Sequence, residues 1–198
     1  MTHNYAILQT SSASCPEDFY HAPCLTEVVN LDTPAVEAFI DFKNNPPLSI
    51  FADAKLDDAI KEENYSVAHT LIVKNQDIKM LGLVSSRQLH GELPVRISQD
   101  RGTPRSNIPV NLVMFPIEEL LCIDYKLITG ARVGHIVDTL HNKRTPYLLV
   151  RDNEKPHIIR GMFSAWQLSK QIGTPSVANH LSEASSLAEL SRISRRSS

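Results

Sequence analysis

The segment Gly82-Leu83-Val84-Ser85-Ser86-Arg87-Gln88-Leu89 returns later in the chain as Gly161-Met162-Phe163-Ser164-Ala165-Trp166-Gln167-Leu168. The Gly, the first Ser, the Gln and the Leu are identical, and the second and third positions stay apolar. This constrains the fold more than composition does, because whatever local structure the first copy forms, the second must form as well. The echo extends upstream: Ala54-Lys55-Leu56 matches Ala131-Arg132-Val133, and Leu71-Ile72-Val73 matches Leu148-Leu149-Val150, each at an offset of 77. The octets are offset by 79, so the second copy carries a hairpin loop two residues longer. A period of this length describes a duplicated domain, not a solenoid.

Within the second copy, Val133, Ile136, Val137 and Leu140 fall on one face of an amphipathic helix. That helix has to stop near Lys143 or Arg144, because Thr145 precedes Pro146 and is pushed out of the helical region. Residues 147–150 then read as a short apolar strand, 151–156 as a polar turn and 158–163 as a second strand, with Ser164 opening a second helix. The first copy repeats the order: Leu56, Ala59 and Ile60 mark the helix, 70–73 a strand, 75–77 a turn and 80–84 a strand. Glu63 takes the last apolar position and narrows that helix's apolar face. Short extended stretches at 48–51 and 122–123 precede the first helices. The expected fold class is α+β, with two β-α-β-β-α repeats packed pseudo-symmetrically, since about 60 residues bury too little surface alone.

Around the repeats, residues 1–33 read as an N-terminal arm, polar and aperiodic through residue 31. Thr33-Pro34 is a helix start, so 34–106 comprises a leading helix, the first repeat and a surface linker over 92–106 marked by Pro94, Gly102 and Pro104. Residues 107–173 form the second repeat and 174–198 a tail, in which Thr174-Pro175 restarts a helix through Leu190.

Composition narrows the function. A formal charge of −2 gives no footprint for nucleic acid. No apolar run is long enough to span a bilayer, and no secretory signal is visible, so a soluble, cytoplasmic chain is expected. Cys15, Cys24 and Cys122 are three cysteines without C-x-x-C spacing, which points to reduced thiols and away from disulfides or a metal site. The two common glycine-rich phosphate cradles are absent. No nucleophile–base set can be assigned by spacing, and Ser85 and Ser164 lack the G-x-S-x-G elbow, so no enzyme is expected.

The octets have a structural reading of their own. Ser85 with Gln88, and Ser164 with Gln167, satisfy the capping-box pattern, in which the hydroxyl serves the N3 N–H and the amide reaches back to the N-cap N–H. Arg87 is either a phosphate contact or a solvated helix residue, and Trp166 either stacks on a base or anchors an interface. His69 stands at a strand start, where Pro146 stands in the second copy.

On the helix, the L-I-V or L-L-V strand and the octets, the chain over 34–173 resembles a tandem CBS-domain protein, a stand-alone Bateman module. Ile108-Pro109-Val110-Asn111-Leu112-Val113-Met114-Phe115-Pro116 also resembles that family's V-x-x-V-M-x-P lead-in to the second repeat. The resemblance implies a non-catalytic regulatory module with two clefts between the repeats. These would take an adenosyl ligand (AMP, ADP, ATP or S-adenosylmethionine) as effector, with no cofactor required. It places Ser85, Arg87, Gln88, His69, Ser164, Trp166 and Gln167 at those clefts. It also implies a homodimer acting on an unidentified protein partner. The family's ribose-binding Asp is replaced by Gln88 and Gln167, and a neutral amide holds a diol more weakly than a carboxylate. The alternative reading is a ligand-free dimerisation scaffold acting through its termini.

Overall fold

A computed structural model of the chain describes residues 28–66 and 69–172, together with Val177, Asn179, Leu181 and Ser186. The first repeat runs β2 (Ser49–Phe51), α1 (Leu56–Glu63), β3 (Thr70–Lys74), β4 (Met80–Ser85) and α2 (Ser86–His90). The second runs β6 (Leu121–Asp124), α4 (Tyr125–Thr129), α5 (Val133–Lys143), β7 (Tyr147–Arg151), β8 (Ile159–Ser164) and α6 (Ala165–Gln171). The β-α-β-β-α order is present twice, with the short α4 as an addition to the second copy. No helix among the described residues is long and apolar enough to cross a membrane.

Two further strands, each of two residues, tie the repeats together. β1 (Ile40–Asp41) pairs antiparallel with β8, and β5 (Phe115–Pro116) pairs antiparallel with β4. The sheets are therefore ordered β1-β8-β7-β6 and β2-β3-β4-β5. Residues 40–41, which the sequence groups with the first repeat, edge the second sheet, and residues 115–116, which it groups with the second, edge the first. The exchange extends to the helix starts. Leu56 N–H donates to Ile108 O and Val133 N–H to Thr33 O, each at 2.9 Å. Lys55 and Arg132 at the N-caps are poor capping residues, so carbonyls of the exchanged segments satisfy N–H groups that would otherwise be orphaned.

The duplicated glycines sit at these crossings. Gly82 lies opposite Pro116 and Gly161 opposite Asp41. One residue on, Leu83 and Met162 face the other sheet, and two residues on, Val84 and Phe163 face their own helices, as the two-residue period of a strand requires. Ile40, Leu83, Phe115, Tyr147, Leu149 and Met162 form the layer between the sheets, with Phe115 and Tyr147 edge to face at 5.6 Å. Helices cover the outer faces: Leu56 and Ala59 on one side, and Val133, Ile136, Val137 and Leu140 on the other, are all buried. Each fully buried Leu, Ile or Val side chain contributes about 1.5–3 kcal/mol.

Two expectations fail locally. Residues 92–106 are not a surface linker, because α3 (Glu92–Arg101) forms there and packs Leu93 and Ile97 on the first repeat's core. Pro94 lies in the first turn, where it forgoes no helical hydrogen bond, and Gly102 is the left-handed cap at φ +60°. The leading helix at Thr33-Pro34 is a single 3-10 turn (Ala35–Glu37), because the chain must extend by Ile40 to pair with β8. The arm over 1–27, with Cys15 and Cys24, lies outside the described residues, as does most of the expected tail helix. Val177, Asn179, Leu181 and Ser186 within it are helical. Cys122 is a free thiol, which burial pushes above its ordinary range.

Ion pairs clamp the second sheet's edge. Arg160 donates through Nε and Nη2 to Asp41 Oδ2 at 3.2 and 3.0 Å, and its guanidinium lies 3.5 Å from the Tyr125 ring centroid. Lys43 Nζ sits 3.1 Å from Asp152 Oδ2, and that hydrogen bond, followed by the Glu154 N–H, holds the Asp152 carboxyl below its usual range. A depressed folded-state pKa contributes stability that is present above the unfolded value of 3.8 and is lost as pH falls through the folded value. Asp152→Asn is therefore expected to lower the urea midpoint at about pH 6 and to match the parent at about pH 2. Equal deficits at both pH values would show that the charge contributes nothing.

Candidate functional site

Each octet is a strand that ends in a helix, and the two junctions open on one shared cavity of about 480 Å³. Ser85 stands opposite Thr70 in the β3–β4 ladder, and Ser164 opposite Tyr147 in β7–β8. All four line the cavity, so each repeat contributes a hydroxyl pair from the same register. Both octets therefore face this one cavity. A second cavity of about 200 Å³ lies elsewhere, against Phe42, Asn45, Leu48, Tyr65 and Met162, and shares only Thr70 with the first.

Six of the seven expected site residues meet at the larger cavity: His69, Ser85, Arg87, Gln88, Ser164 and Trp166. Gln167 does not line it. The two capping-box glutamines differ in what they do. Gln88 is 3% exposed, and its Oε1 accepts from the Ser85 N–H at 3.1 Å, the Ser85 hydroxyl at 2.5 Å and the Tyr147 hydroxyl at 3.3 Å. It thereby joins the two repeats through one buried oxygen. In the second copy, Ser164 Oγ accepts from the Gln167 N–H at 3.5 Å, and the half-buried Gln167 amide makes no hydrogen bond among the described residues.

His69 and Trp166 form one side of the cavity, packed edge to face across the repeats at 4.8 Å. Trp166 is 46% exposed and so is both a contact between repeats and part of the lining. His69 holds a left-handed backbone (φ 47°), and its Nδ1 lies 2.9 Å from Oε1 of Glu63, a carboxylate buried to 2% exposure. The position that narrows the apolar face of α1 is thus a buried acid partnered by His69, one of the cavity's histidines. Arg87 donates from Nη2 to Ser186 Oγ at 3.1 Å, and Leu181, also in the tail, is fully buried and lines the cavity. Sequence reasoning missed Thr70, Tyr147, His90 and Leu181. For the first two the signal was present, since both open their strands at the common offset of 77.

No family model matches the sequence, and no curated protein does. Among solved structures, a conserved CBS domain protein of unknown function from Thermoplasma acidophilum is similar at 17% identity and a TM-score of 0.50. The match covers 74% of this chain and 76% of that one. This chain has the CBS-pair fold. An uncharacterized conserved protein from Pyrococcus horikoshii is similar at 17% identity and a TM-score of 0.49, over 71% of this chain and 92% of that one. A hemolysin-like protein containing a CBS domain, from Oenococcus oeni, is similar at 12% identity and a TM-score of 0.48, over 73% and 93%. In the CBS pair of this chain, the exchanged strands and the layer between the sheets set the two junctions side by side.

Proposed function

We propose that this CBS pair is a non-catalytic regulatory module that binds an adenine nucleotide or related adenosyl ligand between its repeats. The observation that carries the reading is the shared cavity, into which both octets deliver hydroxyls while Trp166 supplies an aromatic surface. The cavity is large enough for a small-molecule ligand. Its two sides belong to different repeats, so a ligand that fits one relative arrangement shifts the population toward it. Resemblance to the family adds a cytoplasmic homodimer that passes this shift to a protein partner.

AMP, ADP, ATP and S-adenosylmethionine should be assayed by thermal melting, with Trp166 emission as the local readout. At about a hundredfold excess over Kd, binding raises stability by about 2.7 kcal/mol, or about 5–10 °C for a chain of this size. Trp166→Leu should reduce the response. No shift from any of the four at millimolar concentration would defeat the proposal. That result would favour the scaffold reading, which has its own support: Leu181 already lines the cavity and Ser186 already engages Arg87.

A further inference from the structure

Gln88 lines the cavity with its acceptor already occupied. Gln88 Oε1 carries three donors: the Ser85 N–H, the Ser85 hydroxyl and the Tyr147 hydroxyl. A carbonyl oxygen has two lone pairs, so none remains for a ligand hydroxyl. The orientation of the amide is also settled. A backbone N–H can only donate, so the oxygen must face Ser85 and the NH2 group must turn away from it. That NH2 makes no hydrogen bond among the described residues, although the side chain that bears it is 3% exposed and lines the cavity.

The basic side chains point the same way. His69, Arg87 and His90 line this cavity, and no Asp or Glu does so among the described lining residues. Glu63 is buried, paired with His69 Nδ1 at 2.9 Å, and outside the lining.

We propose that Gln88 is a specificity-determining donor: its NH2 reads an acceptor atom on a phosphate-bearing ligand, and its occupied oxygen leaves the ribose hydroxyls unread. This rests on the cavity being the ligand site proposed above, and it names what that site selects. A carboxylate in this place would accept from both ribose hydroxyls. Gln88 cannot, because Ser85 and Tyr147 hold its only acceptor.

The test is a titration of the full chain with AMP, 2′,3′-dideoxy-AMP, adenosine and pyrophosphate, followed by calorimetry and by the emission of Trp166, the chain's single tryptophan. AMP and its dideoxy analogue are expected to bind within about threefold of each other, and adenosine about tenfold or more weaker, since charge-assisted hydrogen bonds are the strong ones. Gln88→Glu keeps an acceptor for Ser85 and Tyr147 but turns the donor into a second acceptor. It is expected to weaken AMP about tenfold and to make AMP preferred over the dideoxy analogue by about fivefold. The parent comparison decides the matter even if that variant does not fold. Dideoxy-AMP binding about tenfold more weakly than AMP to the parent would overturn the proposal. If the nucleosides and nucleotides are silent while pyrophosphate responds, the donor-lined anion site stands and the adenine reading falls. Silence from all four overturns both.

Discussion

Gly161→Ala is expected to lower the thermal unfolding midpoint by about 10 °C, and Gly82→Ala by a similar amount. A Cβ at Gly161 would lie 2.2 Å from Ile40 O and 2.4 Å from Phe39 Cζ, and one at Gly82 would lie 2.0 Å from Phe115 O. The phenyl ring could rotate away, but the carbonyls belong to β1 and β5, which would have to leave their sheets. Overpacking of this kind costs about 3 kcal/mol, and each kcal/mol moves the midpoint of a chain this size by about 2–4 °C. Gly130→Ala is the control, because nothing lies within 4 Å of its added Cβ. Urea and thermal melts of the three variants check the result. If Gly161→Ala melts within about 2 °C of the parent, the strand exchange is not what fixes this residue.

That explanation gives the repeated octet a meaning its letters alone could not carry. Read locally, Gly-apolar-apolar-Ser is a strand running into a helix, and β4–α2 and β8–α6 follow it. The glycine's reason lies in the two-residue strands β1 and β5, which are too short to show any period. Their pairing depends on residues more than thirty positions away for β5 and more than a hundred for β1, and no local pattern encodes that. The misread of 92–106 has a different origin. Pro94 and Gly102 read as breakers only if their position is ignored, since one lies in a helix's first turn and the other is its left-handed cap.

The site was half legible for a related reason. Hydroxyls and aromatics at the strand-to-helix junctions could be named from sequence, because the junctions are local. Whether those junctions face separate clefts or one cavity depends on how the sheets cross, which is decided by the packing of Ile40, Leu83, Phe115, Tyr147, Leu149 and Met162. Glu63 looked like a polar interruption of an apolar stripe. Its partner His69 lies six residues on, past the end of the helix and outside the reach of a helical-wheel argument.

The duplication also predicts that Gln88 and Gln167 are worth the same to the fold, and the structure says otherwise. Gln88→Leu is expected to destabilise the protein by about 3 kcal/mol, whereas Gln167→Leu should stay within about 0.5 kcal/mol of the parent. Leucine fills nearly the volume of glutamine, so the loss at position 88 is one of hydrogen bonding. The Ser85 N–H, in a residue 8% exposed, loses its acceptor, and the Ser85 and Tyr147 hydroxyls lose theirs with it. A buried donor left unpaired costs about 1–3 kcal/mol. Gln167 is half-buried and its amide serves no described partner, so its removal leaves nothing unpaired. A cycle with Tyr147→Phe isolates the link between repeats. Once position 88 is leucine, deleting the Tyr147 hydroxyl should cost less than it does in the parent, with a coupling of about 1 kcal/mol. Equal losses at positions 88 and 167, or strict additivity in the cycle, would mean that the two junctions are energetic copies of each other and that the buried amide is not what joins them.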